Sequence, residues 1–402
     1  MAETIAPIVV YLDSQDFSRF SLGQSEYENF QTLQMELLQL KTDGIARFVF
    51  SEVHVRECFP TDSQARQAGL ARIQAMAALC GRDHLPSTPA IMKHELQSLL
   101  TPVSETLSER AFDWFPEFEF GEPATRKKNP LQTWTDGLPA GQLNRRARRA
   151  LAKQVAKPAV PIDRASAERA TDEFMRMYPF LESGRRQLSA YFRRQGSWAD
   201  VKAGVEDGLR DLPKFASWLV DHWNYGEQFI RSLRDPGRSL MESISKVRVS
   251  IHEQVEKVSK LTSPEDVAAK IRDAADRASE EAMKAIPRKL LGQLLGLAHP
   301  PDDAVLSPER TPSLWLMIQF CWSLMKQSGA TKNARTPLPS DFGDALHAMY
   351  VPHVDIFRTD RNAAHLLKSL SCGGTQIIPV LHDLPQAIRA LHAERVRGSS
   401  RA

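Results

Sequence analysis

Apolar residues along this chain follow two different rhythms. Near the N-terminus, Pro7 to Leu12 is an unbroken apolar run rich in β-branched residues, and Ala46 to Phe50 is a second. Runs of this kind predict strands buried on both faces. Between them, Phe30, Leu33, Leu37, Leu38 and Leu40 recur at helical spacing over Ser25 to Lys41, and Gly44 follows as a stop. Ser51 to Cys58 turns into a helix, and Ser63 to Cys80 carries a stripe of Leu70, Ile73, Met76, Ala77 and Leu79. The alternation returns at the far end. There the pattern predicts a helix over Asp344 to Tyr350, a strand over Val354 to Arg358 and a helix over Asn362 to Leu370. A strand over Gln376 to Val380 and a helix over Pro385 to Arg395 follow. Strand–helix–strand order predicts parallel pairing with right-handed crossovers.

The middle reads differently. From about residue 86 the alternation stops, and 101–140 is rich in Pro, Thr, Phe and Trp with few periodic segments. Arg145 to Lys157 is a basic helix without an acid, ended by Pro158 and Pro161. Helical periodicity then fills 166–182, 184–194, 197–209, 211–233, 238–261, 264–285 and 286–297. A Pro-rich loop and an apolar helix over 313–328 come after it. The expected architecture is α/β: a three-layer, parallel-sheet domain discontinuous in sequence, built from 1–90 and 336–402. Residues 91–163 form a linker with the basic segment, and 164–335 form a mostly α-helical inserted domain.

Composition changes this picture little. A chain of 402 residues with 42% hydrophobic and 25% charged positions has material for two or three packed domains. A net charge of +3 is near balance, so any nucleic-acid contact rests on local patches. Arg145, Arg146, Arg148, Arg149 and Lys153 form such a patch, which either tracks a phosphate backbone or is a plain solvated helix face. The four cysteines form no C-x-x-C pair, which argues against a zinc site or disulfide framework and fits a reducing cytoplasm. No basic leader precedes an apolar stretch, so no secretory signal is expected. Leu314 to Met325 is too short and too polar to span a bilayer, so no membrane partner is expected. Neither G-x-x-x-x-G-K nor G-x-G-x-x-G occurs, and no Ser nucleophile elbow is evident.

The acidic residues carry the candidate chemistry. Asp13 ends the first strand, Glu57 follows the second, Asp344 lies near a helix start and Asp360 just after the Val354 strand. In an open parallel sheet, ligands bind beyond the carboxyl ends of the strands. Carboxylates gathered there repel one another unless a cation neutralises them, and Mg²⁺ or Mn²⁺ does so while keeping waters for use as nucleophile. Taken singly, Asp344 and Asp360 read equally well as helix caps, and Glu57 as a surface residue. Glu52 and Asp16 compete for the same role, and Asp341 is an alternative to Asp344.

Together these motifs resemble the PIN-domain nuclease superfamily. Val9-Val10-Tyr11-Leu12-Asp13-Ser14 matches its first strand and acid. Ser51-Glu-Val-His54-Val-Arg-Glu57 matches its Ser-x-x-Thr-x-x-Glu element, with His54 in the Thr place. Asp344-Ala-Leu-His347-Ala matches its Asp-x-x-x-Ala helix, and Asp355-Ile-Phe-Arg-Thr359-Asp360 its Thr-Asp ending. The resemblance covers 1–86 and 336–402, and small toxin-type members lack anything like the long helical middle. It implies a Mg²⁺- or Mn²⁺-dependent nuclease cutting single-stranded RNA by attack of a metal-activated water. Asp13, Glu57, Asp344 and Asp360 would be the catalytic quartet, with Asp13, Asp344 and Asp360 on the metal. Thr359 would orient a carboxylate or a metal-bound water, and Asp355 and His347 stand beside the motifs. The competing expectation is a nuclease-like binding or regulatory module that captures a protein partner through its helical middle, within a toxin or antiviral system.

Overall fold

A computed structural model of the chain describes residues 5–21, 28–59, 63–100, 112–115, 163–223, 264–329, 340–370 and 373–399. The chain divides into two compact units, one formed by Met1–Pro116 with Glu227–Ala402 and the other by Glu117–Gly226.

The first unit is α/β. Its sheet has four strands, β1 (Ile8–Tyr11), β2 (Ala46–Val49), β3 (Ile356–Arg358) and β4 (Gln376–Ile378), in the order β2-β1-β3-β4. Every pairing is parallel. Val10 lies opposite both Phe48 and Ile356, and Phe357 opposite Ile377. The two ends of the chain therefore meet at the centre of one sheet, as the alternation at both termini predicts. Both faces are covered, which explains the unbroken apolar runs. Tyr11, Val49, Phe357 and Ile377 join one core cluster, and the alternate positions Val10, Phe48, Ile356 and Ile378 are buried as well.

Its helices are α1 (Ser14–Ser21), α2 (Glu28–Thr42), α3 (Glu52–Cys58), α4 (Arg66–Cys80) and α5 (Thr88–Leu100). After the second unit's α6 to α9 come α10 (Pro264–Leu295), α11 (Pro312–Gly329), α12 (Ser340–Ala348), α13 (Arg361–Ser369) and α14 (Leu384–Ser399). Three features depart from the sequence expectation. Helix α1 starts directly at Ser14, because Asp13 caps it and Phe17 and Phe20 bury its inner face. Helix α5 occupies a stretch whose pattern had already lost its alternation; Thr88 and Pro89 open it. The expected break between 264–285 and 286–297 is absent. Helix α10 continues through Pro287, held by Met283 and Leu291 in the core on either side of the missing N–H. Helices α10 and α11, which the polar pattern groups with 164–335, share the core cluster of Tyr11 and Val49. Among the described residues, no helix is long and apolar enough to cross a membrane.

The second unit is helical. Its described elements are α6 (Arg164–Met177), α7 (Arg185–Phe192), α8 (Trp198–Arg210) and α9 (Leu212–Asp221). Asp163 and Asp211 cap α6 and α9, and Ser197 with Asp200 forms a capping box on α8. Phe174, Leu188, Tyr191, Val205, Leu209 and Phe215 are its buried core. Helix α8 passes so close to the loop after α6 that a side chain at Gly208 would strike the Pro179 carbonyl. The basic residues Arg145, Arg146, Arg148, Arg149 and Lys153 lie outside the described residues.

Candidate active site

Parallel pairing sends the carboxyl ends of β1, β2 and β3 to one edge of the sheet, and the chain departs from each into a helix. Beyond β1, Asp13 Oδ1 accepts the N–H of Gln15 at 2.8 Å and caps α1. Beyond β3, Asp360 Oδ1 accepts the N–H groups of Asn362 and Ala363 at 2.6 and 2.9 Å and caps α13. Beyond β2, Ser51 opens α3, whose last turn carries Glu57. Helix α12 begins at Ser340, so Asp344 sits inside it rather than at its cap. The expectation that Asp344 is a cap is therefore set aside.

The quartet shares one electrostatic environment. Burial pushes the Asp344 carboxyl up to about 7; His347 opposes the shift, while the charges of Asp360, Asp13 and Glu57 reinforce it. Neighbouring like charges oppose ionisation of a carboxyl group. Asp344 thus senses acids from both ends of the chain.

A polar chain lies beneath this rim. Glu57 Oε2 is 3.0 Å from His347 Nε2, and Ser14 Oγ is 3.3 Å from the same nitrogen. His347 Nδ1 is 2.6 Å from the Tyr11 hydroxyl, which is 2.7 Å from Ser51 Oγ. Burial works to raise Glu57, but His347 and the hydroxyl of Ser14 overcome it and hold the carboxyl at about 2. Its side chain is 37% exposed, so water screens part of that pull. Burial also works against a charge on His347, yet Glu57, Asp13 and Asp344 outweigh it and raise the imidazole above its ordinary value. His54 is different. It accepts the Ser51 N–H through Nδ1 at 3.0 Å and donates through Nε2 to the Leu12 carbonyl at 2.7 Å. Those backbone partners fix its tautomer, and burial, with His347 nearby, lowers it to about 3. It plays the part of the third-position Glu in a capping box.

Arg358, missed in the sequence, is the other charge of the site. Its guanidinium is 4% exposed, 3.1 Å from Asp16 and 3.7 Å from Asp13. Asp16 is fully buried; burial raises its carboxyl to about 7, against the pull of Arg358. Asp16 is thus the inner partner of an ion pair, and Asp13 is the more exposed of the two.

The remaining candidates scatter. Thr359 is buried and its N–H joins the Ile378 carbonyl. Asp355 precedes β3 and so lies at the opposite edge of the sheet, where it accepts the Val9 N–H and pairs with Arg395. Its role is structural and it is removed from the site. Glu52 is buried on the far side of α3, 3.9 Å from Arg56 and bonded to Thr88. It too leaves the candidate set. Asp341 lies in the first turn of α12, but its side chain falls outside the described residues.

The donor set suits a hard divalent ion chemically, since it is all carboxylate and Asp344 feels repulsion from Asp360, Asp13 and Glu57 that His347 offsets only in part. Among the described residues, no three His, Cys, Asp or Glu side chains stand close enough together to hold one ion. An ion here would rest on one or two carboxylates and retain much of its water, the usual manner of Mg²⁺. No protein-family model, no curated protein and no solved structure matches this chain.

Proposed function

We propose that this chain is a PIN-like, Mg²⁺- or Mn²⁺-dependent nuclease that hydrolyses phosphodiester bonds in single-stranded RNA. One observation carries the reading: Asp13 and Asp360 follow the adjacent parallel strands β1 and β3 at the same edge of the sheet, and both, with Glu57, act on the half-buried Asp344 carboxyl. In this reading an ion would rest on one or two carboxylates of the set Asp13, Asp344 and Asp360, with the others and Glu57 completing the negative surroundings. A divalent ion, when bound, would lower the pKa of a water and supply charge to offset the phosphate. Asp13 and Asp360 are held in place by the helices they cap, and Thr359 is fixed between β3 and Asp360. Water attacks phosphorus directly, without a covalent enzyme intermediate. The RNA preference rests on the PIN resemblance, and the basic run from Arg145 to Lys157 would bind the phosphate backbone.

The test is a panel of single-stranded and structured RNA and DNA incubated with Mg²⁺, Mn²⁺ or EDTA. Cleavage of single-stranded RNA that needs the metal, and that is lost in Asp13→Asn, supports the reading. Failure to cut any substrate, or full activity in Asp13→Asn, overturns it.

A second reading follows from the built-in cations. Arg358 faces Asp13 and Asp16, and His347 faces Glu57, so part of the negative charge is already balanced by protein. A site balanced this way suits a nuclease-like binding or regulatory module. Isothermal titration that finds no divalent-ion binding, together with a silent cleavage panel, selects this second reading.

A further inference from the structure

Glu57 is gripped from two sides by one helix. Gly343 and His347 stand four residues apart on α12 and so share a face. His347 Nε2 holds Glu57 Oε2 at 3.0 Å. The other oxygen, Oε1, lies over Gly343, so close that a Cβ at that position would overlap it. A glycine inside a helix costs about 1 kcal/mol relative to alanine, so this one has a steric reason to be there.

The protons of the grip follow from its partners. An ionised carboxylate only accepts, so His347 Nε2 carries a hydrogen. Behind it, Tyr11 is a neutral phenol with one proton, placed between His347 Nδ1 and Ser51 Oγ. If His347 is neutral, Ser51 donates to Tyr11 and Tyr11 donates to Nδ1. If His347 is cationic, Nδ1 donates to Tyr11 and Tyr11 donates to Ser51. In both arrangements the Nε2 hydrogen points at Glu57. Tyr11 cannot swing away, because its ring stacks on Phe357 (centroids 5.0 Å, planes 8° apart) and on Tyr350 (5.6 Å, 17°). The anchor is therefore a core residue on the central strand, and the grip extends from that core to the rim.

We infer that Gly343 and His347 form a cradle that fixes the Glu57 carboxylate, with Tyr11 as its anchor. All three are positioning residues for Glu57. Their effect on catalysis rests on the nuclease reading; the cradle itself does not.

Nitrogen NMR of the histidine rings in the full chain tests the cradle directly. His347 should show a slowly exchanging Nε2–H that is lost in Glu57→Gln and altered in Gly343→Ala. An Nδ1–H tautomer, or an Nε2–H that exchanges as fast as a solvated imidazole, overturns the inference whatever the protein cleaves. Gly343→Ala is expected to fold normally, since the atom it displaces is the end of a flexible side chain. On a fluorescently labelled single-stranded RNA it should lower kcat about tenfold to a hundredfold with KM within twofold. His347→Gln, which keeps an N–H donor, should retain more kcat than His347→Phe. Folded Gly343→Ala with wild-type kcat and an unchanged His347 signal also overturns it. If the wild type cuts nothing while the NMR signature holds, the nuclease reading fails and the cradle stands.

Discussion

Two acidic regions of the α/β unit put their carboxylates to opposite uses. On α5, Glu95 is buried, and both of its oxygens are filled by the first turn of α11: Ser313 N–H at 2.8 Å and Leu314 N–H at 2.9 Å. It is a helix cap contributed by a neighbouring helix, and its capacity is used up. At the carboxyl edge of the sheet the work is divided within each residue. Asp13 and Asp360 each spend Oδ1 on capping a helix, while both also act on Asp344. Capping a helix and acting on a neighbouring carboxyl are thus not rival roles for these residues. The cap fixes the carboxylate in place, and its charge still reaches the shared site.

The largest contrast lies between Asp344→Asn and Glu95→Gln. Under the proposed nuclease function, Asp344→Asn should cut the cleavage rate on the order of a thousandfold, as loss of a charge-stabilising group does, without lowering the melting temperature. Glu95→Gln should do the reverse. Its amide would turn N–H toward the N–H of Ser313 or Leu314, at a cost of about 2 kcal/mol in urea unfolding, while the folded fraction keeps its kcat. The contrast collapses if Glu95→Gln loses activity at full stability, or if Asp344→Asn destabilises as much as Glu95→Gln.

Much of the sheet was legible because a strand covered on both faces writes itself as a continuous apolar run: Ile8 to Tyr11 and Ala46 to Val49 are such runs. That Asp13 and Asp360 stand at one edge of the sheet was legible because each follows a strand whose direction is set by parallel order. The grip on Glu57 was not, since His347 is 290 residues away from it and Tyr11 is 336 residues from His347. No local rule reports pairs of that separation. One signal did exist: Gly343, a helix-interior glycine beside an acid, marks a place where something approaches the backbone. Arg358 was hidden for another reason. It reads as the polar end of a short strand, and only the fold turns it inward onto Asp16 and Asp13. Helix α1 went unseen because its eight residues offer just two buried aromatic side chains, too few to establish a period.

A smaller effect, read through pH and magnesium, sharpens the same contrast. Burial raises both Asp344 and Glu95 to about 7, from ordinary values near 4. A raised acid keeps its proton in the folded state while the unfolded chain releases it. Between about pH 4 and 7 the folded state then binds more protons, so its stability falls as pH rises, by at most about 1.4 kcal/mol per pH unit for each group. His54 and His353, lowered to about 3 and 4, bend the curve the other way below pH 6.5. The useful quantity is therefore the difference between variant and wild type, in which those histidines cancel. In EDTA, the melting temperatures of Asp344→Asn and Glu95→Gln should each rise relative to wild type between pH 5 and 8, because neither amide has a proton to lose. Magnesium at pH 8 should erase that gain for Asp344→Asn, since an ion bound to the ionised wild-type site removes the penalty, and binding there releases a proton. It should leave the Glu95→Gln difference unchanged, because both Glu95 oxygens are already taken up by the N–H groups and hydroxyl at the start of α11. Magnesium that shifts both differences equally, or neither, would mean that the two acidic regions are the same kind of structure.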